Sequence, residues 1–150
     1  MLDIYVDADA CPVKREICNV AKRYGMNVIF VSNALIRIPK QDGVRLVVVD
    51  GQPDAADNFI AGIVTKDDIA VTADIPLASR CIKNGARVLG PTGRIFTLDN
   101  IGEILATRNL LSELRESGSI TGGPMPFQKR DRSQFLQSLD RIIQSIKRSC

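Results

Sequence analysis

Short apolar runs alternate along the chain with segments of helical periodicity. Apolar and β-branched residues are concentrated in five runs that predict strands, at residues 2–6, 27–31, 44–49, 69–72 and 86–89. Apolar residues at helical spacing predict five helices, from Pro12 up to Gly25, from near Asp54, over 75–84, over 101–116 and over 133–148. Residues 32–43, interrupted by Pro39, predict a loop. This alternation is typical of an α/β fold with a mostly parallel sheet, and we expect one domain over residues 1–150.

Acidic residues follow several of the predicted strands. Asp7 and Asp9 follow the first strand, Asp74 follows the fourth, and Asp54 and Asp57 enter the helix after the third. Because the carboxyl ends of parallel strands meet at one edge of a sheet, we expect these carboxylates to lie together. Their mutual repulsion favours a bound hard cation, and oxygen ligands suit Mg²⁺ or Mn²⁺. Such a metal would activate water and stabilise charge developing on a phosphoryl group.

Two of these acidic residues also have an ordinary structural explanation. Asp54 suits a helix N-cap, and Asp57 suits the first turn, where the helix dipole favours negative charge. Asp7 and Asp9 would face the same side only if the first strand continued through both of them. The convergence of several carboxylates, rather than any one position, therefore indicates a cation site.

The composition removes several kinds of active site. The 150 residues include no histidine, which excludes Ser-His-Asp and Cys-His nucleophile systems and zinc sites with a histidine ligand. The net charge of +3 is small, and the whole excess lies in residues 101–150, with 8 basic and 5 acidic side chains. Four cysteines without a C-x-x-C pair predict reduced, mostly buried thiols. With no secretory signal or membrane helix evident, we expect a cytoplasmic protein.

The segment 118–132 is rich in glycine and proline and is long for a simple connection. Gly122 and Gly123 would allow the backbone to approach a ligand closely. The segment is then either a flap that presents cations to phosphates, or an ordered loop that packs Phe127, with Asp131 as a helix N-cap. The cations of this segment are Lys129, Arg130 and Arg132.

Three protein superfamilies place acidic residues at such an edge. A response-regulator receiver would need a lysine after the fifth strand, where this chain offers only Arg94, and a helix where residues 32–43 predict a loop. A haloacid-dehalogenase-type phosphatase would match Asp7, Asp9 and Ser32, but no distal acidic pair follows a strand. A PIN-type or NYN-type metal nuclease matches the order of Asp7, Asp57 and Asp74.

Four motifs in order carry a more specific resemblance. They are DADACPVKREI, DAADNFI, VTADIPLA, and TGGPMPFQKRDRSQF with the following LDRII. Together they resemble the YaiI/YqxD family of small bacterial proteins over nearly the whole chain. The resemblance implies a bacterial origin and a three-layer PIN-like α/β fold with two C-terminal helices. It implies no particular activity or substrate. Cys11, within the first motif, is better explained as a buried thiol than as a nucleophile, because no neighbouring base can be named.

These observations predict a Mg²⁺- or Mn²⁺-dependent nuclease, with RNA favoured over DNA as its substrate. The predicted metal ligands and catalytic residues are Asp7, Asp9, Asp57 and Asp74, with Asp54, Gly122 and Gly123 in support. The predicted phosphate contacts are Lys14, Arg15, Ser32, Lys129, Arg130 and Arg132. Two alternatives remain open, a non-catalytic metal- or nucleotide-binding module and a small phosphatase that uses the D-x-D pair.

Overall fold

The chain forms a six-stranded sheet between two layers of helices. A computed structural model describes residues 3–52, 54–118 and 126–149. The strands are β1 (Asp3–Asp7), β2 (Asn27–Ser32), β3 (Val44–Val48), β4 (Ile69–Val71), β5 (Arg87–Leu89) and β6 (Ile95–Phe96). The helices are α1 (Lys14–Tyr24), α2 (Ala55–Ile63), α3 (Ile75–Lys83), α4 (Leu98–Glu116) and α5 (Lys129–Ser149). A short 3₁₀ turn, Ala8–Ala10, follows β1.

The strand order is β3-β2-β1-β4-β5-β6. The first five strands along the chain are parallel, as predicted, and β6 pairs antiparallel with β5. From β1 the chain builds outward through β2 and β3, and it then returns to add β4 on the other side of β1. The strand order therefore reverses between β1 and β4. Sequence patterning did not reveal β6, because its two residues are too few to show a period.

Alternate residues of each central strand pack against different helical layers. Ile4, Val6 and Phe30 belong to one buried cluster with residues of α1 and α5. Tyr5 and Ile29 belong to a second cluster with residues of α2, α3 and α4. Because both faces of the sheet are covered, its strands are nearly continuous apolar runs. The predicted three-layer α/β architecture is confirmed.

Helix α5 lies beside α1 and runs in the same direction. The Arg132 guanidinium pairs with Glu16 at 3.3 Å near the amino ends of the two helices. Further along, Asp140 of α5 accepts hydrogen bonds from Arg23 and Tyr24 at the end of α1. Since α1 follows β1, the amino ends of both helices lie toward the carboxyl ends of the parallel strands. The predicted helical stripe of α5 is confirmed, with Phe135, Leu139, Ile142 and Ile146 all buried.

Three helices begin at different residues from those predicted. Helix α5 begins at Lys129 rather than 133, so its first basic residues are helical rather than part of a loop. The predicted N-cap role of Asp131 was wrong, because its carboxylate instead reaches back and accepts a hydrogen bond from the Gln128 amide at 2.9 Å. Helix α4 begins at Leu98 rather than 101, and α1 begins at Lys14, after a turn that contains Pro12.

The early start of α4 has a local cause. Thr97 and Asn100 form a reciprocal capping box, in which each side chain accepts a hydrogen bond from the other residue's amide, at 2.8 and 3.2 Å. The predicted apolar stripe of α4 is only partly packed. Ile104 packs against a core cluster, whereas Leu111 is 36% exposed.

The structure bears on two further predictions, one about the cysteines and one about membrane-spanning helices. Cys11, Cys18 and Cys81 are free and buried, as predicted for reduced thiols, and Cys150 lies outside the described residues. Within the described ranges, none of the helices combines the length and the apolar character that crossing a membrane requires.

Candidate functional site

The ends of β1 and β4 are joined by a buried hydroxyl at the point where the strand order reverses. Thr72, which is 2% exposed, follows β4 and donates a 2.9 Å hydrogen bond from Oγ1 to Oδ2 of Asp7, the last residue of β1. The same hydroxyl accepts a 3.0 Å hydrogen bond from the Asp74 amide. In open α/β sheets, ligands bind beyond the carboxyl ends of strands at such a reversal. Asp7 and Asp74 therefore lie where this topology places ligands.

Asp74 also has a structural task. It is the N-cap of α3, and its Oδ1 accepts a 2.9 Å hydrogen bond from the Leu77 amide. That bond satisfies one of the amides that every helix leaves unpaired at its amino end. Within the described part of the chain, the second carboxylate oxygen of Asp74 accepts no hydrogen bond, so a ligand could engage it without uncapping the helix.

Asp57 is a partly buried carboxyl in the first turn of α2. Its pKa is raised from 3.8 to about 6, mainly by burial and then by the negative charges of Asp74, Asp7 and Asp54, while Arg80 acts in the opposite direction. Neither of its oxygens accepts a hydrogen bond from a described residue. Its proton is thus held mainly by poor solvation and by neighbouring negative charge.

Asp7 responds to the same neighbours. Burial raises the pKa of Asp7, the hydrogen bond from Thr72 lowers it, and the charges of Asp9 and Asp74 raise it. Asp7, Asp57 and Asp74 therefore lie within electrostatic reach of one another. Taken together, these effects describe a concentration of negative charge that Arg80 offsets only in part.

Asp9 and Asp54 lie at the margin of this group, and both are exposed. Strand β1 ends at Asp7, and the turn Ala8–Ala10 begins directly after it, so the condition for Asp7 and Asp9 to share one side of a strand is not met. Asp9 instead accepts a 2.7 Å hydrogen bond from Ser32 at the end of β2. Asp54 occupies the N-cap position of α2, but its side chain caps no amide.

The side chains at this edge offer oxygen ligands that suit a hard cation, but they do not form a complete coordination shell. The available ligands are all oxygens, and the buried Oδ1 of Asn33, directly after β2, has no hydrogen-bond partner in the described part of the chain. Across residues 3–52, 54–118 and 126–149, no three side chains of the types Asp, Glu, Cys or His are grouped closely enough to hold an ion. The arrangement fits Mg²⁺, which typically takes one or two carboxylates and keeps several waters.

Some of the basic residues predicted to contact phosphate already have a protein partner, and others are exposed. Lys14 donates from Nζ to the Cys11 carbonyl at 2.9 Å, while Arg15 is exposed. Lys129 and Arg130 are exposed in the first turn of α5, whose amino end lies toward the same edge of the sheet as Asp7. These three exposed cations are available to a phosphate group.

Two predicted phosphate contacts already have protein partners. The Ser32 hydroxyl donates to Asp9, and Arg132 pairs with Glu16 and lies over the Phe127 ring at 5.7 Å. Phe127 packs against the apolar cluster shared with α1 and α5, which supports its interpretation as a packing residue. Gly122 and Gly123 lie outside the described residues.

Cys11 has the properties of a buried thiol. It is 8% exposed, and burial raises the pKa of its thiol, while the Lys14 ammonium lowers it. A raised pKa keeps the sulfur protonated and poorly nucleophilic at neutral pH. These properties agree with the sequence interpretation of Cys11.

A groove of about 680 Å³ begins beside Asp74 and was not foreseen. Ala73 and Ile75, on either side of Asp74, form one end of it, and α4 forms a wall. Its charged residues are three arginines, Arg94, Arg108 and Arg115, and one acid, Glu103. Arg108 and Arg115 are seven residues apart, which places them on the same face of α4 two turns apart. That spacing was the one signal in the sequence that could have identified this wall.

Comparisons with known proteins agree with the motifs. The family model described as "Uncharacterized BCR, YaiI/YqxD family" matches residues 5–145. A UPF0178 protein of Azorhizobium caulinodans is 54% identical over 148 residues, covering 99% of this chain and 93% of the relative. A UPF0178 protein of Rhodospirillum centenum is 53% identical over 152 residues, covering 99% of each chain. No solved structure matches the chain significantly. The chain therefore belongs to the YaiI/YqxD family.

Proposed function

We propose that this protein is a divalent-metal-dependent phosphodiesterase with a PIN-like fold that hydrolyses RNA. The observation that carries the proposal is the electrostatic repulsion among the carboxylates of Asp7, Asp57 and Asp74, which lie where the strand order of the sheet reverses. A protein that keeps such repulsion gains from binding a cation there. The arginine-lined groove beside Asp74 supports a polyanionic substrate. We take RNA as the expected substrate, and the test includes DNA of the same sequence.

The chain's own residues divide into three roles in this proposal. One or two of Asp7, Asp57 and Asp74 would hold Mg²⁺ or Mn²⁺ directly, with the remaining carboxylates and Asp9 acting through water, and the bound metal would activate water and stabilise the phosphoryl charge. Thr72 positions Asp7 by its hydrogen bond.

The charged substrate would be held by cations on two sides of these carboxylates. Arg94 and Arg108 would bind the phosphates of the strand on the α4 side. Lys129 and Arg130 would stabilise the departing charge. The buried, reduced thiols suit the cytoplasm as the place of this activity.

The direct test is cleavage of end-labelled RNA and DNA of the same sequence with Mn²⁺ or Mg²⁺. We expect RNA to be cleaved by the wild-type protein and not by Asp7→Asn. Asp42→Asn is the matched control, because Asp42 is an exposed acid just before β3, at the opposite end of the sheet. Equal cleavage by the wild-type and Asp7→Asn proteins would show contamination and contradict the proposal.

Metal binding is measured separately by calorimetric titration with Mn²⁺ at pH 6. Because Asp57 is partly protonated at that pH, binding should release protons, and the observed heat should change with the ionisation enthalpy of the buffer. Metal binding without turnover of any nucleic acid would favour the non-catalytic module. Metal-dependent hydrolysis of p-nitrophenyl phosphate without RNA cleavage would favour the phosphatase.

A further inference from the structure

A cavity of about 540 Å³ opens at the end of the sheet opposite Asp7 and Asp74. Its walls come from the start of β5, the end of β6 and the second half of α5. Because β6 runs antiparallel to β5, the end of β6 lies beside the start of β5. The lining residues that matter are Arg87, Val88, Phe96, Arg141, Ile142 and Arg148. Its volume falls in the range of roughly 300–1,000 Å³ that is usual for pockets of small ligands.

The floor of this cavity is apolar. Val88, Phe96 and Ile142 are each at most 5% exposed when the whole residue is counted, so they form a firm, packed base. Leu98, which also lines the cavity, is 74% exposed. An apolar ligand body lying on this base would cover the Leu98 side chain and remove it from water.

The rim of the cavity carries three guanidinium groups, those of Arg87, Arg141 and Arg148, that pair with no carboxylate of the described residues. Arg141, Ser145 and Arg148 follow one another at helical spacing on one face of α5. The Ser145 hydroxyl accepts a 2.8 Å hydrogen bond from Nη2 of Arg87, which orients that side chain along the rim. No acidic residue lines the cavity, and none of the three arginines forms an ion pair with a carboxylate in the described ranges.

We propose that this cavity binds a small organic anion, a carboxylate, sulfonate or phosphate ester attached to an aromatic or aliphatic body. The planar fork of arginine matches the paired oxygens of such anions, and the apolar floor matches the body. An inorganic ion would leave the floor uncovered, and a neutral apolar molecule would leave the arginines without a partner. The site is separate from the acidic edge, so it stands or falls independently of the proposed nuclease activity.

Two dyes of nearly the same shape test both halves of the proposal. Anilinonaphthalenesulfonate carries a sulfonate on an aromatic body, and phenylnaphthylamine has the same body without the charge. We expect fluorescence titration of the folded chain to show one saturable site for the sulfonate. The neutral dye should bind about tenfold more weakly or worse, because it lacks the charge-assisted hydrogen bonds.

Charge-removing variants then locate the binding site. Arg141→Gln and Arg148→Gln should each weaken binding of the sulfonate about tenfold and leave the weak binding of the neutral dye unchanged. Arg45→Gln, an exposed arginine on β3 at the far side of the sheet, should not change either affinity. Equal affinity for the two dyes, several sites per chain, or sulfonate binding that ignores both α5 variants would overturn the proposal.

Discussion

Thr72 holds Asp7 through a 2.9 Å hydrogen bond across the boundary between β4 and β1. The buried hydroxyl also accepts a hydrogen bond from the Asp74 amide, so one side chain positions the carboxylate of Asp7 and the backbone of Asp74. Replacing Thr72 by valine keeps its shape and removes both hydrogen bonds. We expect Thr72→Val to lower the free energy of unfolding by about 2 kcal/mol and to raise the pKa of Asp7 further.

The control for this change is Thr72→Ser, which keeps the hydroxyl and loses one methyl group. It should cost about 1 kcal/mol and leave the pKa of Asp7 where it is. Urea unfolding and NMR titration of the Asp7 carboxyl measure the two effects. If valine and serine shift the Asp7 titration equally, the hydrogen bond does not control that carboxyl.

Asp57 should make the folded protein less stable as the pH rises. Its pKa is about 6 in the folded chain and 3.8 by reference, so between those values the folded state holds more protons than the unfolded state. The free energy of unfolding therefore falls across this window as the pH rises. At pH 7 without metal, Asp57→Asn should be more stable than wild type by about 1 kcal/mol, a value reduced for solvent screening of a partly exposed group.

The pH dependence separates this effect from a general gain in stability. Below about pH 4 the Asp57 carboxyl is protonated in both states, so the advantage of Asp57→Asn should disappear. Urea unfolding at pH 3.5 and pH 7 in chelator gives the comparison. The same advantage at both pH values would mean that it does not arise from the charge.

Two substitutions at Asp74 separate its cap from its charge. Asp74→Asn keeps an oxygen that can accept from the Leu77 amide, so stability at pH 7 should change by less than about 0.5 kcal/mol. Asp74→Ala loses the cap and should cost about 1 kcal/mol. Both variants should lower the pKa of Asp57, since the Asp74 charge raises it. If Asp74→Ala leaves the free energy of unfolding unchanged, the cap contributes little to stability.

Gly93 is required by close contact with α5. Its φ is +93°, and a Cβ there would lie 2.6 Å from the Gln134 carbonyl carbon, which is backbone and cannot move aside. Gly93→Ala should lower the free energy of unfolding by at least about 2 kcal/mol, measured by urea unfolding. Gly102→Ala, at an open helical position in α4, should raise it by up to about 1 kcal/mol. Equal effects at the two glycines would contradict the contact.

Most strands could be predicted because the sheet is covered on both faces. A strand such as β2 then appears as a continuous apolar run, and parallel topology brings Asp7 and Asp74 to one edge. The start of α5 could not be predicted in the same way. An aspartate such as Asp131 can be an N-cap or a first-turn residue that reaches back, and only the backbone decides between them.

The partners around the candidate site depend on geometry that periodicity does not contain. Thr72 is the last residue of the predicted fourth strand, but its bond to Asp7 depends on β1 and β4 being neighbours. The arginine groove depends on which side of α4 faces the sheet. Apolar and charged residues are mixed around α4, and the spacing of Arg108 and Arg115 is the one sequence signal for the face that lines the groove.

Helix α5 follows every strand of the sheet in chain order, yet it covers one of the sheet's faces. Phe135, Leu139 and Ile143 are completely buried there, and Gly93 is seated against the same helix. During synthesis, the strands therefore leave the ribosome before the helix that shields them. The nascent sheet would present Val6 and Phe30 to chaperones and proteases until α5 arrives. A chain interrupted before Phe135 would leave Val6 and Phe30 without the cover that α5 gives them, so we expect it not to fold stably.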